Sequence, residues 1–71
     1  MWKENLFKMG LAELELTVRS TNILEARGIT TVGDLCEMTV DELSGIPSFD
    51  DAVLAEVHVK LSARDLRLRG D

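Results

Sequence analysis

Two segments of this chain share a pattern that confines it to a small all-α architecture. In residues 24–35, Gly28 stops one helix, Ile29 is an apolar residue suited to burial, and Thr30 or Thr31 opens the next helix. A second segment of the same kind is expected to follow Ile46 and Pro47. The sequence therefore predicts two helical hairpins. Each hairpin presents backbone N–H groups at a helix start, where they attract anions.

The second hairpin has the opposite chemistry from an anion site. A hairpin that grips phosphate needs small residues and a lysine at the helix start, but here the sequence continues Ser48, Phe49, Asp50, Asp51, Ala52. Two carboxylates in this position occupy or repel the anion site. In the simpler interpretation, Ser48, Asp50 and Asp51 only cap the last helix, which acids in its first turn stabilise by about 0.3–1 kcal/mol each.

Apolar spacing and capping residues predict a compact domain of four to five helices containing both hairpins. Thr17 caps a helix that ends at Gly28, and the Thr39–Glu42 pair has the form of a capping box. We expect one domain over residues 1–71, with a lead-in segment (1–16), a helical core (17–63) and a tail (64–71). Residues 11–16 fit a turn or a short extended piece. In the tail, only Leu66 is expected to pack.

Several function classes are disfavoured by residue content. The protein has 71 residues, and a domain of this length buries only about 60% of its unfolded surface, so its stability is marginal. His58 is the only histidine, so no pair of histidines is present to bind a metal. Cys36 is the only cysteine, and we interpret it as a core residue in a reducing compartment. We expect no catalytic residue, metal, cofactor, small-molecule substrate or membrane span, and a cytoplasmic location.

Charge is distributed unevenly along the sequence. Residues 31–59 contain seven acids and no Lys or Arg, a net charge of −7 within a total of −5. A dedicated DNA-binding domain normally carries a basic stripe, because phosphate neutralisation supplies its non-specific affinity. The centre of this chain therefore argues against strong DNA binding.

Residues 14–22 (Leu-Glu-Leu-Thr-Val-Arg-Ser-Thr-Asn), followed by Gly-Asp-Leu at 33–35 and Ile-Pro at 46–47, resemble the C-terminal domain of the bacterial RNA polymerase α subunit. The likeness extends from about Asn5 to Leu66, and the segment at 14–20 is its most specific part. The resemblance implies a helical bundle of the helix-hairpin-helix type. It also implies a non-catalytic domain that binds A·T-rich promoter DNA through the minor groove and contacts RNA polymerase, σ factor or transcription regulators.

The resemblance implies DNA contacts at three positions. Arg19 matches the arginine that enters the minor groove, where a narrow A·T groove has enhanced negative potential. Asn22 matches a neighbour that helps to hold the backbone, and Glu56 a polar residue beside the contact. In the alternative interpretation, Arg19 solvates the first turn of its helix and Glu56 is an ordinary helix-surface charge.

The resemblance also implies protein contacts at acidic positions. Glu13 and Glu15 match residues presented to σ factor, and Asp41 and Glu42 lie where the family meets activators. The alternative for Glu13 and Glu15 is a solvated edge.

The sequence departs from the family pattern in the second hairpin. The family's glycine, lysine and serine are replaced here by Asp50, Ala52 and Val53. Two mechanisms follow: a domain that contacts promoter DNA weakly, or a protein-interaction module that keeps the fold and has lost DNA binding.

Overall fold

Short helices joined by tight turns make up the fold. The computed structural model describes residues 7–70. Within this range the structure has a 3₁₀ turn (Leu11–Leu14) and four α-helices: α1 (Val18–Ala26), α2 (Val32–Cys36), α3 (Val40–Ser44) and α4 (Asp51–Ser62). No strand occurs between residues 7 and 70, although Gly10 and Thr31 form an isolated antiparallel bridge. The prediction of an all-α fold is confirmed.

The helix starts follow from short polar side chains in the sequence. The side chains of Thr17, Thr31, Thr39 and Asp50 each accept a backbone N–H three residues further on, as N-caps do. Of the two threonines that could open the second helix, Thr31 is the cap. Thr39 and Glu42 form the predicted capping box, since each side chain bonds the other residue's backbone N–H.

Two hairpins connect the helices in pairs. Gly28, with a φ of +87°, ends α1 in the left-handed conformation that glycine adopts without strain, and the buried Ile29 leads into α2. The second hairpin runs from α3 through Ile46 to α4. In its loop the non-glycine residue Ser48 takes a left-handed φ of +71°. Both predicted hairpins are present.

The core is almost entirely aliphatic. It contains Val53, Val57 and Leu61 from one face of α4, as the sequence pattern predicts, together with Phe49 just before that helix. The other buried residues are Leu11, Leu14, Leu24, Ile29, Val32, Leu35, Leu43, Ile46, Leu66 and Leu68. The Cα radius of gyration is 11.0 Å, which is what about 70 residues give in a compact domain.

The tail packs more fully than expected. Leu66 and Leu68 are both buried, with 7% and 1% of their surface exposed, so the expectation that only Leu66 packs is wrong. The backbone explains the difference, because the N–H of Arg69 donates to the carbonyl of Met38 at 3.1 Å. This bond holds the segment after α4 against the end of α2, and alternate residues of the segment face the core.

The segment before α1 is joined to the first hairpin. The N–H of Leu11 donates to the carbonyl of Thr30 at 3.2 Å, and the N–H of Val32 donates to the carbonyl of Met9 at 2.9 Å. A Cβ at Gly33 would lie 3.0 Å from the carbonyl oxygen and 3.1 Å from the Cβ of Phe7, so a larger residue fits there only if Phe7 shifts. Residues 11–14 form a 3₁₀ turn, the first of the two alternatives for this region. Trp2 and Leu6, whose spacing with Phe7 and Met9 is near that of a helix, lie outside the described residues.

Cys36, expected in the core, is half-buried and packs against it. Burial raises the pKa of its thiol, which disfavours the reactive thiolate.

Candidate nucleic-acid interface

The first turn of α1 presents the two residues matched to DNA contacts. Thr17 caps this helix, and Arg19 and Asn22 follow at positions three residues apart, which lie on the same side of an α-helix. Both are exposed, whereas Ser20 between them is 1% exposed. The structure therefore brings Arg19 and Asn22 to one surface.

Arg19 is oriented toward the second hairpin. Its Nη2 lies 2.8 Å from Oδ2 of Asp50 and 3.4 Å from the carbonyl oxygen of Ser48. Both side chains of the ion pair are about half exposed, at 58% and 49%. The guanidinium that the resemblance matches to a DNA contact is thus paired, in this protein, with a carboxylate from the second hairpin.

Asp50 has two partners at the same time. Its Oδ1 accepts the N–H of Val53 at 3.0 Å as the N-cap of α4, while its Oδ2 pairs with Arg19. These bonds stabilise the ionised carboxylate, so the Arg19 guanidinium, followed by the Val53 N–H, holds the pKa of Asp50 below its usual value. Asp50 thus caps α4, as the simpler interpretation predicts, but it also pairs with Arg19. Ser48, expected to cap with it, instead accepts a bond from Arg19 through its carbonyl.

Glu56 contacts the opposite side of the same turn of α1. Its Oε2 accepts the N–H of Thr17 at 2.7 Å, and its Oε1 lies 3.1 Å from the Thr17 hydroxyl and 3.2 Å from the hydroxyl of the buried Ser20. The carboxylate therefore serves as a second, tertiary cap for α1. Glu56 is therefore more than the ordinary surface charge of the alternative interpretation, while its position beside a DNA contact stays a prediction.

A groove separates α1 from the second hairpin. The groove is lined on the helix side by Asn22, Ile23, Ala26 and Arg27, and on the hairpin side by Ile46, Pro47 and Ser48. Because Ser48 also accepts a bond from Arg19, the groove and the ion pair belong to one continuous surface. Asn22, Arg19 and the second hairpin are therefore neighbours.

The remaining helix starts also hold carboxylates. Asp34 accepts the N–H and the hydroxyl of Thr30, each at 3.4 Å, before α2, and Glu42 accepts the N–H of Thr39 at 3.0 Å before α3. The pKa of Asp34 is lowered, first by a hydrogen bond from the side chain of Thr31, and that of Glu42 by its bond from the Thr39 backbone. With Glu56 at α1 and Asp50 at α4, all four described helices have an acid at the N-terminus.

The acidic residues matched to protein contacts occupy two elements. Glu13 and Glu15 lie in and directly after the 3₁₀ turn, with Glu15 at a φ of +59°, and both are exposed. Asp41 and Glu42 lie in the first turn of α3, also exposed. Glu42 is the most constrained of them, since Arg69 pairs with it at 3.0 Å in addition to the capping box.

Three contacts of this surface were not foreseen from the sequence: the Arg19–Asp50 pair, the bond to the Ser48 carbonyl and the Glu56 cap. An arginine and a carboxylate 31 residues apart carry no local signal that they meet. The only signal in the sequence is the acid at a helix start where the family has glycine.

Residues 7–70 hold neither a metal cluster nor a membrane-spanning helix. No group of three or more His, Cys, Asp or Glu side chains in that range is arranged to hold a metal ion. None of the helices described there has the length and apolar character needed to cross a membrane.

Comparison with known proteins identifies the family to which this domain belongs. Residues 2–63 match the family described as the C-terminal domain of the bacterial RNA polymerase alpha chain. A DNA-directed RNA polymerase subunit alpha of Clostridium botulinum is 42% identical over 67 residues, covering 94% of the present sequence and 21% of that protein. The Rhodopirellula baltica subunit is 45% identical over 65 residues, covering 92% of the present sequence and 20% of its own length. The protein thus spans about a fifth of these relatives, and it belongs to the family of C-terminal domains of bacterial RNA polymerase α subunits.

Proposed function

We propose that this protein acts in bacterial transcription as a non-catalytic binding domain that contacts A·T-rich promoter DNA weakly through the surface of Arg19 and Asn22. Family membership supports the transcriptional role. The observation that carries the DNA contact is the exposure of both side chains on one side of α1, beside the second hairpin. A guanidinium in this position suits the negative potential of a narrow minor groove.

The contact is weak because the structure offers phosphate few partners. Helix N-termini bind anions through unpaired N–H groups and the helix dipole. Here each of the four described helices already has a carboxylate at its start, from Glu56, Asp34, Glu42 and Asp50. The family's lysine is replaced by Ala52, so the second hairpin adds no countercharge.

The same carboxylates favour a second candidate, a protein-interaction module that has lost DNA binding. Four of the seven acids in residues 31–59 are used at helix starts, which leaves Glu37, Asp41 and Asp51 as the remaining exposed ones. Together with Glu13 and Glu15 they would meet a basic surface on RNA polymerase, σ factor or a regulator. In either case the domain works in the cytoplasm with the polymerase.

A DNA titration separates the candidates. Fluorescence anisotropy at low salt would compare A·T-rich with G·C-rich duplexes, using the natural protein, Arg19→Ala and the control Arg67→Ala, which removes the same charge from the exposed tail. We expect a preference for A·T-rich DNA, with Kd at physiological salt no tighter than the non-specific range of about 10⁻⁴–10⁻⁶ M. Arg19→Ala should abolish binding, and Arg67→Ala should reduce it only slightly.

The outcomes have distinct meanings. Equal binding by Arg19→Ala and the natural protein would remove Arg19 from the interface. Absence of binding by every variant at low salt would leave the protein-interaction module. That candidate predicts weaker binding to RNA polymerase holoenzyme for the double variant Glu13→Gln, Glu15→Gln than for the single control Glu25→Gln in α1.

A further inference from the structure

The ion pair between Arg19 and Asp50 gives the guanidinium an anionic partner within the protein, on the surface proposed to meet DNA. We infer that Asp50 limits the affinity of this surface for DNA, because its carboxylate competes with the minor groove for the Arg19 guanidinium. This inference rests on the proposed DNA contact and identifies the residue that limits it. The distance of 2.8 Å between Arg19 Nη2 and Asp50 Oδ2 is that of a charge-assisted hydrogen bond.

Asp50 is held in place independently of Arg19. Its other oxygen accepts the Val53 N–H at the start of α4, and moving the carboxylate away would leave that helix end uncapped. Arg19 in turn is directed to the hairpin by a second acceptor, the Ser48 carbonyl, at 3.4 Å. The side chain of Arg19 therefore has to leave two acceptors before it can enter a groove, while its counter-charge remains fixed nearby.

The electrostatic effect on DNA has two parts. The pair has no net charge, so the attraction of Arg19 to the minor groove is largely cancelled until the pair separates. After separation, an ionised Asp50 lies beside the incoming phosphates and repels them, an effect that salt screens. Each of these two effects on DNA affinity is moderate, because the ion pair is half exposed. An exposed ion pair changes an equilibrium constant by about fivefold or less.

The variant Asp50→Asn isolates this charge. Asparagine caps helices as well as aspartate does, so the bond to Val53 and the fold should be preserved, which thermal unfolding would check. Asp51→Asn is the matched control because it removes the same charge one residue away, in an exposed side chain. We expect A·T-rich DNA to bind about threefold to tenfold more tightly to Asp50→Asn, and less than about twofold more tightly to Asp51→Asn.

Arg19→Ala tests whether the gain acts through the arginine. Because Arg19→Ala should itself abolish binding, neither Asp50→Asn nor Asp51→Asn should restore DNA binding in that background, where no guanidinium remains to be released. Equal gains from the two substitutions in the natural background would overturn the inference while leaving the DNA contact intact. If neither the natural protein nor Asp50→Asn bound DNA, both the contact and the inference would fail.

A measurement without DNA tests the pair itself. NMR titration of the Asp50 carboxyl group should show its pKa rising in Arg19→Ala, whereas Arg67→Ala should leave it unchanged, because the bond from Arg19 is the main cause of its lowering. An Asp50 titration that is the same in the natural protein and in Arg19→Ala would show that the pair does not form in solution, and would overturn the inference regardless of any DNA result.

Discussion

Replacement of Glu56 by alanine should loosen α1 from the rest of the domain. The carboxylate accepts the Thr17 N–H at 2.7 Å and lies 3.2 Å from the Ser20 hydroxyl. Thr17 and Ser20 lie at the start of α1, 39 and 36 residues before Glu56 in the sequence. Glu56→Ala removes the acceptor from both groups without adding another. Leu24 of α1 would still belong to the apolar core, but the start of α1 would lose its tertiary cap.

The size of the effect follows from the exposure of each partner. Thr17 is exposed, so its N–H can bond water, and the loss there is that of one charge-assisted bond. Ser20 is 1% exposed, and its hydroxyl keeps only the Thr17 hydroxyl at 3.0 Å. The sum is about 1–2 kcal/mol of unfolding free energy, with a fall in Tm of about 4–8 °C for each kcal/mol in a domain of this size.

Urea denaturation followed by circular dichroism would measure this loss. Glu25→Ala, an exposed glutamate of α1, serves as the control and should stay within about 0.5 kcal/mol of the natural protein. Glu56→Gln, which retains one carbonyl oxygen, should fall between the natural protein and Glu56→Ala. If Glu56→Ala matched the Glu25→Ala control, Glu56 would be a surface charge after all, and its assignment as a cap would be wrong.

Three further predictions concern stability. Leu68→Ala should cost about 2–5 kcal/mol in urea denaturation, because Leu68 is 1% exposed; a loss below about 1 kcal/mol would show that the tail does not pack in solution. Val53→Ser, one of the changes that would restore the family hairpin, should destabilise the domain measurably by the same assay, since Val53 is 2% exposed. Folding lowers the pKa values of Asp34, Glu42 and Asp50. These carboxylates therefore contribute their full stabilisation at pH values above their pKa in the unfolded chain, which is about 4. That stability should be lost as pH falls further through the folded values, and thermal melts between about pH 5 and pH 2 that show no such decline would contradict the assignment.

The local parts of the fold could be predicted because each depends on residues three or four apart. Thr17 and Thr39 cap their helices through N–H groups three positions on, and Gly28 ends α1 because only glycine adopts its backbone angle without strain. The stripe on α4 that contains Val53 and Val57 follows directly from helical periodicity. The hairpins required no knowledge of tertiary structure.

The long-range parts could not be predicted in the same way. Whether Arg19 solvates its helix or meets Asp50 depends on how α1 lies against α4, which no local pattern specifies. The burial of Leu68 depends on a backbone bond between Arg69 and Met38, and backbone bonding partners distant in sequence leave no signature in side-chain identity. The resemblance located Arg19 and Asn22 as neighbours, but the partner of Arg19, Asp50, is a residue at which this sequence departs from the family pattern.

The cap that Glu56 provides also affects how the domain can fold. α1 has only nine residues, and an isolated helix shorter than about 12–15 residues is marginal in water. One of its N-terminal bonds is made only when a residue 39 positions later lies beside it, so the order of the first turn depends on the position of the last helix. Hydrogen exchange of the Thr17 amide should therefore be slowed by the bond to Glu56, and Glu56→Ala should remove that protection while core amides of α4 lose less. A helix start that would fray in an isolated peptide becomes, in this domain, a reporter of the contact between α1 and α4.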